Sequence, residues 1–231
     1  MDWALDQFGV DIVIKGKEWI PKNGQYIFSA NHPLGSLDGL AIITVVATIH
    51  QSVKFIANDL LRVIKGLEPV FLYIARFGEI DRQNAREINK ILASDAQLLV
   101  QPAGTVSKRN PVKISDLPWN KFFIRKAIQY KRNVIPVHVQ ARNSRLFYNI
   151  ASFRKIFRIK SNLEMFLLPR EMFNKSGKTI TITVGKPIAY KTFDESRTHL
   201  EWAQKVREYV YLLGSENFSS ASTIPSFSEI L

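Results

Sequence analysis

The chain has no cysteine in its 231 residues. Disulfides, thiolate nucleophiles and cysteine metal sites are therefore excluded, and any group-transfer chemistry must use other side chains. Histidine is scarce, with four copies, and acids are outnumbered: 20 Asp and Glu against 32 Lys and Arg give a formal charge of +12. That balance favours a negatively charged partner such as anionic lipid, nucleic acid or a phosphorylated substrate, without naming a reaction. No helix-turn-helix, zinc or RNA-binding signature accompanies the positive charge, so nucleic acid is not an expected partner. Long hydrophobic runs are missing too. The longest, Leu40 to Ile49, falls well short of the roughly 20 residues that span a bilayer. Met1-Asp2-Trp3-Ala4-Leu5-Asp6 has early acids and no apolar core, which argues against a signal peptide. The expectation is a cytoplasmic protein, peripheral on the inner face of a membrane.

What is present is enough for a large core. Hydrophobic residues make up 46% of the chain, and neither an internal repeat nor a Pro- or Gly-rich linker divides it, so one domain over residues 1–213 is expected. Residues 214–231 are serine-rich without periodicity and read as a poorly ordered tail. Strand-like runs (Val10–Ile14, Gln25–Ala30, Val53–Ala57, Gln97–Gln101, Val134–Val139, Thr179–Val184) alternate with helix-like ones (Leu40–Ile49, Asn84–Ala93, Trp119–Lys131, Phe193–Leu213). This succession predicts an α/β fold, a central mixed sheet with helices on its faces.

One loop carries the clearest chemistry. Asn31-His32-Pro33-Leu34-Gly35-Ser36-Leu37-Asp38-Gly39 places a histidine and an aspartate at a strand-to-helix turn, with Ser36 as a candidate N-cap and Asp38 in the first helical turn. A neutral imidazole can take a proton from a hydroxyl, while a carboxylate on its other nitrogen fixes the tautomer and stabilises the imidazolium. The alternative is a capped helix start beside a satisfied histidine. The other histidines lack these surroundings: His138 lies in an apolar strand and reads as a core residue, His50 ends a helix, and His199 sits on a charged helix.

Further stations follow. Phe77-Gly78-Glu79-Ile80-Asp81-Arg82 ends an apolar segment with a guanidinium that can fork onto a phosphate or carboxylate, or simply pair with Asp81. Gln101-Pro102-Ala103-Gly104-Thr105-Val106-Ser107 leaves a strand through proline and glycine, so backbone N–H groups around Gly104 and Thr105 can face an anion or an oxyanion. Lys108 and Arg109 add charge, as an anion site or as a solvated face. Ser176-Gly177-Lys178-Thr179 echoes a P-loop, but the leading glycine would fall on Met172, so a turn before the next strand is the better reading. Leu146, Phe147, Ile150, Phe153 and Phe157 recur at near-helical spacing among Arg154, Lys155, Arg158 and Lys160. That pattern suits a helix lying on anionic lipid, or one packed on the core with a solvated basic face.

Taken in order, these stations resemble the glycerolipid acyltransferase family, of the 1-acylglycerol-3-phosphate acyltransferase type. Its His-Asp block is similar to Asn31-His32 to Asp38, its glycine-to-arginine block to Gly78–Arg82, and its Phe-Pro-Glu-Gly-Thr block to Gln101–Thr105. Its late proline block is similar to Ile135-Pro136-Val137, and its closing segment to Ile182–Ile188. The likeness spans roughly residues 10 to 190. Two departures stand out: five residues separate His32 from Asp38 where the family usually has four, and Ala103 and Val106 stand where it commonly has glutamate and arginine. The form His32-Pro33-Leu34-Gly35 with Asp38-Gly39 looks like the branch labelled hemolysin, which includes acyltransferases of ornithine and other aminoacyl lipids.

The resemblance implies a glycerol-3-phosphate acyltransferase-like fold and an O-acyltransferase of membrane lipid biosynthesis. Such an enzyme moves a fatty acyl group from acyl carrier protein or coenzyme A to the hydroxyl of a lysolipid, either lysophosphatidic acid or a lyso-aminoacyl lipid. His32 and Asp38 would be catalytic, and Arg82, Gly104, Thr105 and Lys108 substrate-binding. The acyl thioester is a co-substrate, and neither cofactor nor metal is implied. The rival readings are a basic membrane- or nucleic-acid-binding module and a catalytically inactive relative.

Overall fold

The computed structural model describes residues 9–35, 37–58, 69–74, 82–110, 113–159, 162–215 and 224–231. Nine strands are found among them: β1 (Asp11–Lys15), β2 (Tyr26–Ala30), β3 (Val53–Asn58), β4 (Phe71–Ile74), β5 (Gln97–Val100), β6 (Lys108–Arg109), β7 (Ile114–Ser115), β8 (Asn133–Gln140) and β9 (Thr179–Val184). The α-helices are α1 (Leu37–Ala47), α2 (Arg82–Ala93), α3 (Phe122–Tyr130), α4 (Arg145–Ile156), α5 (Leu168–Phe173) and α6 (His199–Leu213).

Seven strands form one sheet in the order β1-β9-β8-β2-β5-β3-β4, while β6 and β7 make a separate short hairpin. β4, β3, β5, β2 and β8 run parallel, β9 turns antiparallel to β8, and β1 follows β9, so the sheet is mixed as expected. Both faces are covered. Successive residues of β2 show how: Ile27 faces the cluster built with α2, α3 and α6, and Phe28 faces the cluster built with α1. Buried parallel strands of this kind read as continuous apolar runs, which is why β2, β5 and β8 were legible from sequence.

The chain leaves β2, at the middle of the sheet, directly into the His32 loop. α1 then packs so close to β3 that a Cβ on Gly39 would lie 2.3 Å from the Phe55 ring. Only glycine permits that approach, and the helix start is thereby pinned beside the strand end. Gly35, with φ of 97°, makes the turn between them.

The tail differs from expectation. Residues 216–223 lie outside the described residues, but Phe227–Ile230 form a 3-10 turn with a Ser226–Glu229 capping box. Ile224 and Phe227 are buried, and the Tyr209 hydroxyl donates to the Pro225 carbonyl at 2.6 Å. Two apolar side chains docked on α6 supply the burial that composition alone concealed. No helix among the described residues is long and apolar enough to cross a membrane.

Candidate active site

His32 stands two residues beyond the end of β2, and three anchors hold its backbone. The Asn31 side chain before it donates to the Val139 carbonyl at 3.0 Å and accepts the Val139 N–H at 2.7 Å, extending the sheet through a side chain. The His32 N–H donates to Asp116 Oδ1 at 3.2 Å, and its carbonyl accepts the Ser107 N–H at 2.7 Å.

The ring meets its expected partner. His32 Nδ1 lies 3.1 Å from Asp38 Oδ2. The same carboxylate oxygen accepts the Leu34 N–H at 2.9 Å, and Oδ1 accepts the Gly39 N–H at 2.8 Å. The five intervening residues are absorbed by the Gly35 turn, so the longer loop still closes the dyad. Asp38 is fully buried whereas the His32 ring keeps 14% of its surface exposed. With Nδ1 committed to Asp38, Nε2 makes no hydrogen bond to a described residue.

Electrostatics sharpen the pair. Burial works against charge on both groups, yet mutual attraction and hydrogen bonding outweigh it. His32 is pushed above the ordinary imidazole range by Asp38, with help from Asp116, and Asp38 is held below the usual carboxylate range by His32, the Leu34 N–H and the Gln101 amide. The arrangement can accept a proton at Nε2 and spread the resulting charge onto a buried carboxylate.

The other expected residues are more dispersed. Arg82 is exposed at the first position of α2, and Gly78–Asp81, the rest of its block, lie outside the described residues, as does Ser36, the candidate N-cap. The Gly104 N–H closes a turn onto the Gln101 carbonyl at 3.0 Å. Thr105 is half-buried and makes no hydrogen bond to a described residue. Thr105 and Lys108 line a shallow recess with Phe147, Tyr148 and Met165. His138 is the buried core histidine expected, its pKa lowered to about 4 by desolvation, with its ring edge against Tyr211.

Sequence reasoning passed over Asp116. Besides His32, its Oδ1 accepts the Ser107 hydroxyl at 2.5 Å and its Oδ2 accepts the Trp119 indole N–H at 2.9 Å. The only advance signal was the long segment between β5 and α3, since loops of such length carry function disproportionately.

The amphipathic reading of residues 146–160 divides in two. Phe147 is 2% exposed and packs with Tyr148, Val106 and Leu168, whereas Leu146, Phe153, Ile156 and Phe157 are exposed. The exposed set continues onto the following turns through Leu163, Phe166 and Phe173. Arg154 does not point outward: it pairs with Glu164 at 3.0 Å. Arg158 is exposed, and the side chains of Lys155 and Lys160 lie outside the described residues.

Comparison with known proteins bears on the family and the fold. A family model described as Acyltransferase matches residues 2–219. A lyso-glycine lipid O-acyltransferase of Bacteroides thetaiotaomicron is 41% identical over 214 residues, covering 92% of this chain and 79% of the relative. One of the same description from Phocaeicola vulgatus is 40% identical over 214 residues, covering 92% and 77%. Among solved structures, the 1-acyl-sn-glycerophosphate acyltransferase PlsC of Thermotoga maritima superposes with a TM-score of 0.58 at 19% identity, covering 94% of this chain and 78% of that one. At that identity the likeness speaks for the fold.

Proposed function

The chain belongs to the acyltransferase family, and from that premise we propose that it transfers a fatty acyl group from a thioester to the hydroxyl of a lysolipid, with His32 as general base. The carrying observation is the 3.1 Å contact between His32 Nδ1 and the buried Asp38 carboxylate, with Nε2 left free. Nε2 takes the proton as the acceptor hydroxyl attacks the thioester carbonyl. A C–O bond forms, the C–S bond breaks, and the proton passes from the imidazolium to the departing thiolate. Asp38 holds the tautomer and stabilises the transient imidazolium. No acyl-enzyme is needed, in keeping with a chain without cysteine.

The acceptor favoured is a lyso-aminoacyl lipid, since relatives 41% and 40% identical are described as lyso-glycine lipid O-acyltransferases. Val106 supports this choice. Where the family resemblance leads one to expect a cation, its side chain is 3% exposed and packed against Phe147, Tyr148 and Leu168, so it offers nothing to a phosphate. Arg82 is retained as the group meeting the acceptor's carboxylate, and Thr105 and Lys108 as neighbours of the acyl path. The donor is acyl carrier protein or coenzyme A thioester.

The exposed Phe153, Ile156, Phe157, Phe166 and Phe173 form the face by which the protein rests on a membrane, with exposed Arg158 and Arg170 for anionic headgroups. Purified protein, given labelled acyl-coenzyme A or acyl carrier protein and a panel of N-acyl amino acid and lysophosphatidate acceptors, should form the di-acylated amino acid lipid. His32→Ala should abolish it with folding intact. Full transfer by His32→Ala would discard the mechanism, and product from lysophosphatidate alone would discard the acceptor.

A further inference from the structure

Near the start of α4 opens a cavity of about 700 Å³ whose wall includes Arg109, Arg142, Arg145, Lys175 and Lys178 together with Tyr148. No acidic side chain lines it among the described residues. The nearest buried acid, Glu171, is already engaged: it accepts the Ser144 N–H at 2.7 Å and hydroxyl at 2.6 Å, and lies 3.7 Å from Lys175 Nζ. Lys175 is itself 6% exposed and donates to the Arg142 carbonyl at 2.8 Å, so this cation is fixed in place. Arg142, Arg145 and Lys178 have no ion-pair partner among the described residues. Like charges gathered around a concavity repel one another: burial chiefly disfavours the charged form of Lys175, and Lys178 and Arg142 add to that against the support of Glu171. Such crowding is relieved when a multiply charged anion enters.

One hydrogen bond ties the cavity wall to the loop that carries the dyad. Asn143, in its wall, donates to the carbonyl of Pro33, the residue after His32, at 3.2 Å. A volume of this order takes a nucleotide-sized group and greatly exceeds a single carboxylate, and a concavity suits a small ligand where a carrier protein would dock on an open basic face.

We propose that this cavity binds the phosphate-bearing end of a co-substrate, with Arg142, Arg145, Lys175 and Lys178 as its anion ligands. The assignment rests on the acyl-transfer reading above for what the ligand is doing there. Because the favoured acceptor carries a carboxylate, the phosphates are those of the acyl donor's coenzyme.

Calorimetric titration of the full chain with adenosine 3′,5′-bisphosphate, and separately with a short-chain lysophosphatidate, tests this without requiring transfer. The bisphosphate should bind, more weakly as salt is raised. Arg142→Ala with Lys178→Ala, both at exposed positions, should weaken binding by about tenfold or more while the melting temperature holds. Lys178→Arg should retain binding, and in turnover the double variant should raise KM for the donor and leave the acceptor's unchanged. Binding of the lysophosphatidate alone, lost in the double variant, would keep the phosphate site but assign it to the acceptor. Failure of both probes to bind, or unchanged binding in the double variant, overturns the proposal. His32→Ala should bind like the parent chain; bisphosphate binding in a protein that transfers nothing would leave this site standing and sink the reaction assigned above.

Discussion

The corner that holds His32 and the helical unit from α4 to α5 lie side by side and are built on opposite terms. At the corner every oxygen of Asp38 and Asp116 has a donor, Asp38 is wholly buried, and the loop is tied to β8 through Asn31. In the helical unit large apolar side chains stand in solvent, Phe166 at 83% exposure. A proton-transfer pair needs fixed distances, and only saturated hydrogen bonding gives them. The surface proposed to rest on lipid needs apolar area that the protein itself leaves uncovered. The two regions meet at Leu168, whose side chain lies where a Cβ on Gly35 would stand, 2.8 Å away.

The largest expected effect comes from breaking the corner alone. His32→Ala should lower transfer by about 10²–10⁴-fold or more, with binding to anionic vesicles unchanged in a flotation assay. Equal loss of both would mean that the two regions do not divide the work. Next, Asp38→Asn should cut kcat by roughly 10²–10⁴-fold, since the amide can hold the wrong tautomer. Recovery of activity on raising the pH would contradict that role.

Breaking the other side gives smaller numbers. Phe166→Ser with Phe173→Ser should weaken vesicle binding by about tenfold or more, from the roughly 1.5–3 kcal/mol that each buried phenylalanine is worth. Activity toward a short-chain, monomeric acceptor should survive, and its loss would place these rings in the site instead. Within α4 the contrast sharpens to two rings. Phe147→Ala, at 2% exposure, should cost about 3–5 kcal/mol in denaturant unfolding, and Phe153→Ala, at 55%, within about 0.5 kcal/mol. Similar costs would deny that one helix serves core and surface on different faces.

Sequence carried the fold and half of the site. The buried strands β2, β5 and β8 announce themselves as apolar runs, and the His32–Asp38 spacing is local, so a turn suffices to close it. β4 escaped notice although Phe71-Leu72-Tyr73-Ile74 is itself an apolar run, because four residues are too few to tell a strand from a piece of helix. Asp116 reaches His32 across 84 positions of chain, and the cationic cavity draws its wall from residues between Arg109 and Ile180. No local pattern encodes such meetings. Periodicity found the apolar residues of α4 but could not say which would be covered, because that depends on where Val106 and Leu168 come to rest.

The central claim, that His32 is a base tuned by a buried carboxylate, is tested most directly by the pH dependence of kcat/KM. Burial alone would depress the His32 pKa, but Asp38 and Asp116 raise it above the usual imidazole value of 6.5, so the neutral base is lost as pH falls through a value higher than that. The acid limb of the parent enzyme should therefore lie above pH 6.5, and Asp38→Asn, which leaves burial less opposed, should move it to lower pH. An acid limb at the same pH in both proteins would contradict the account.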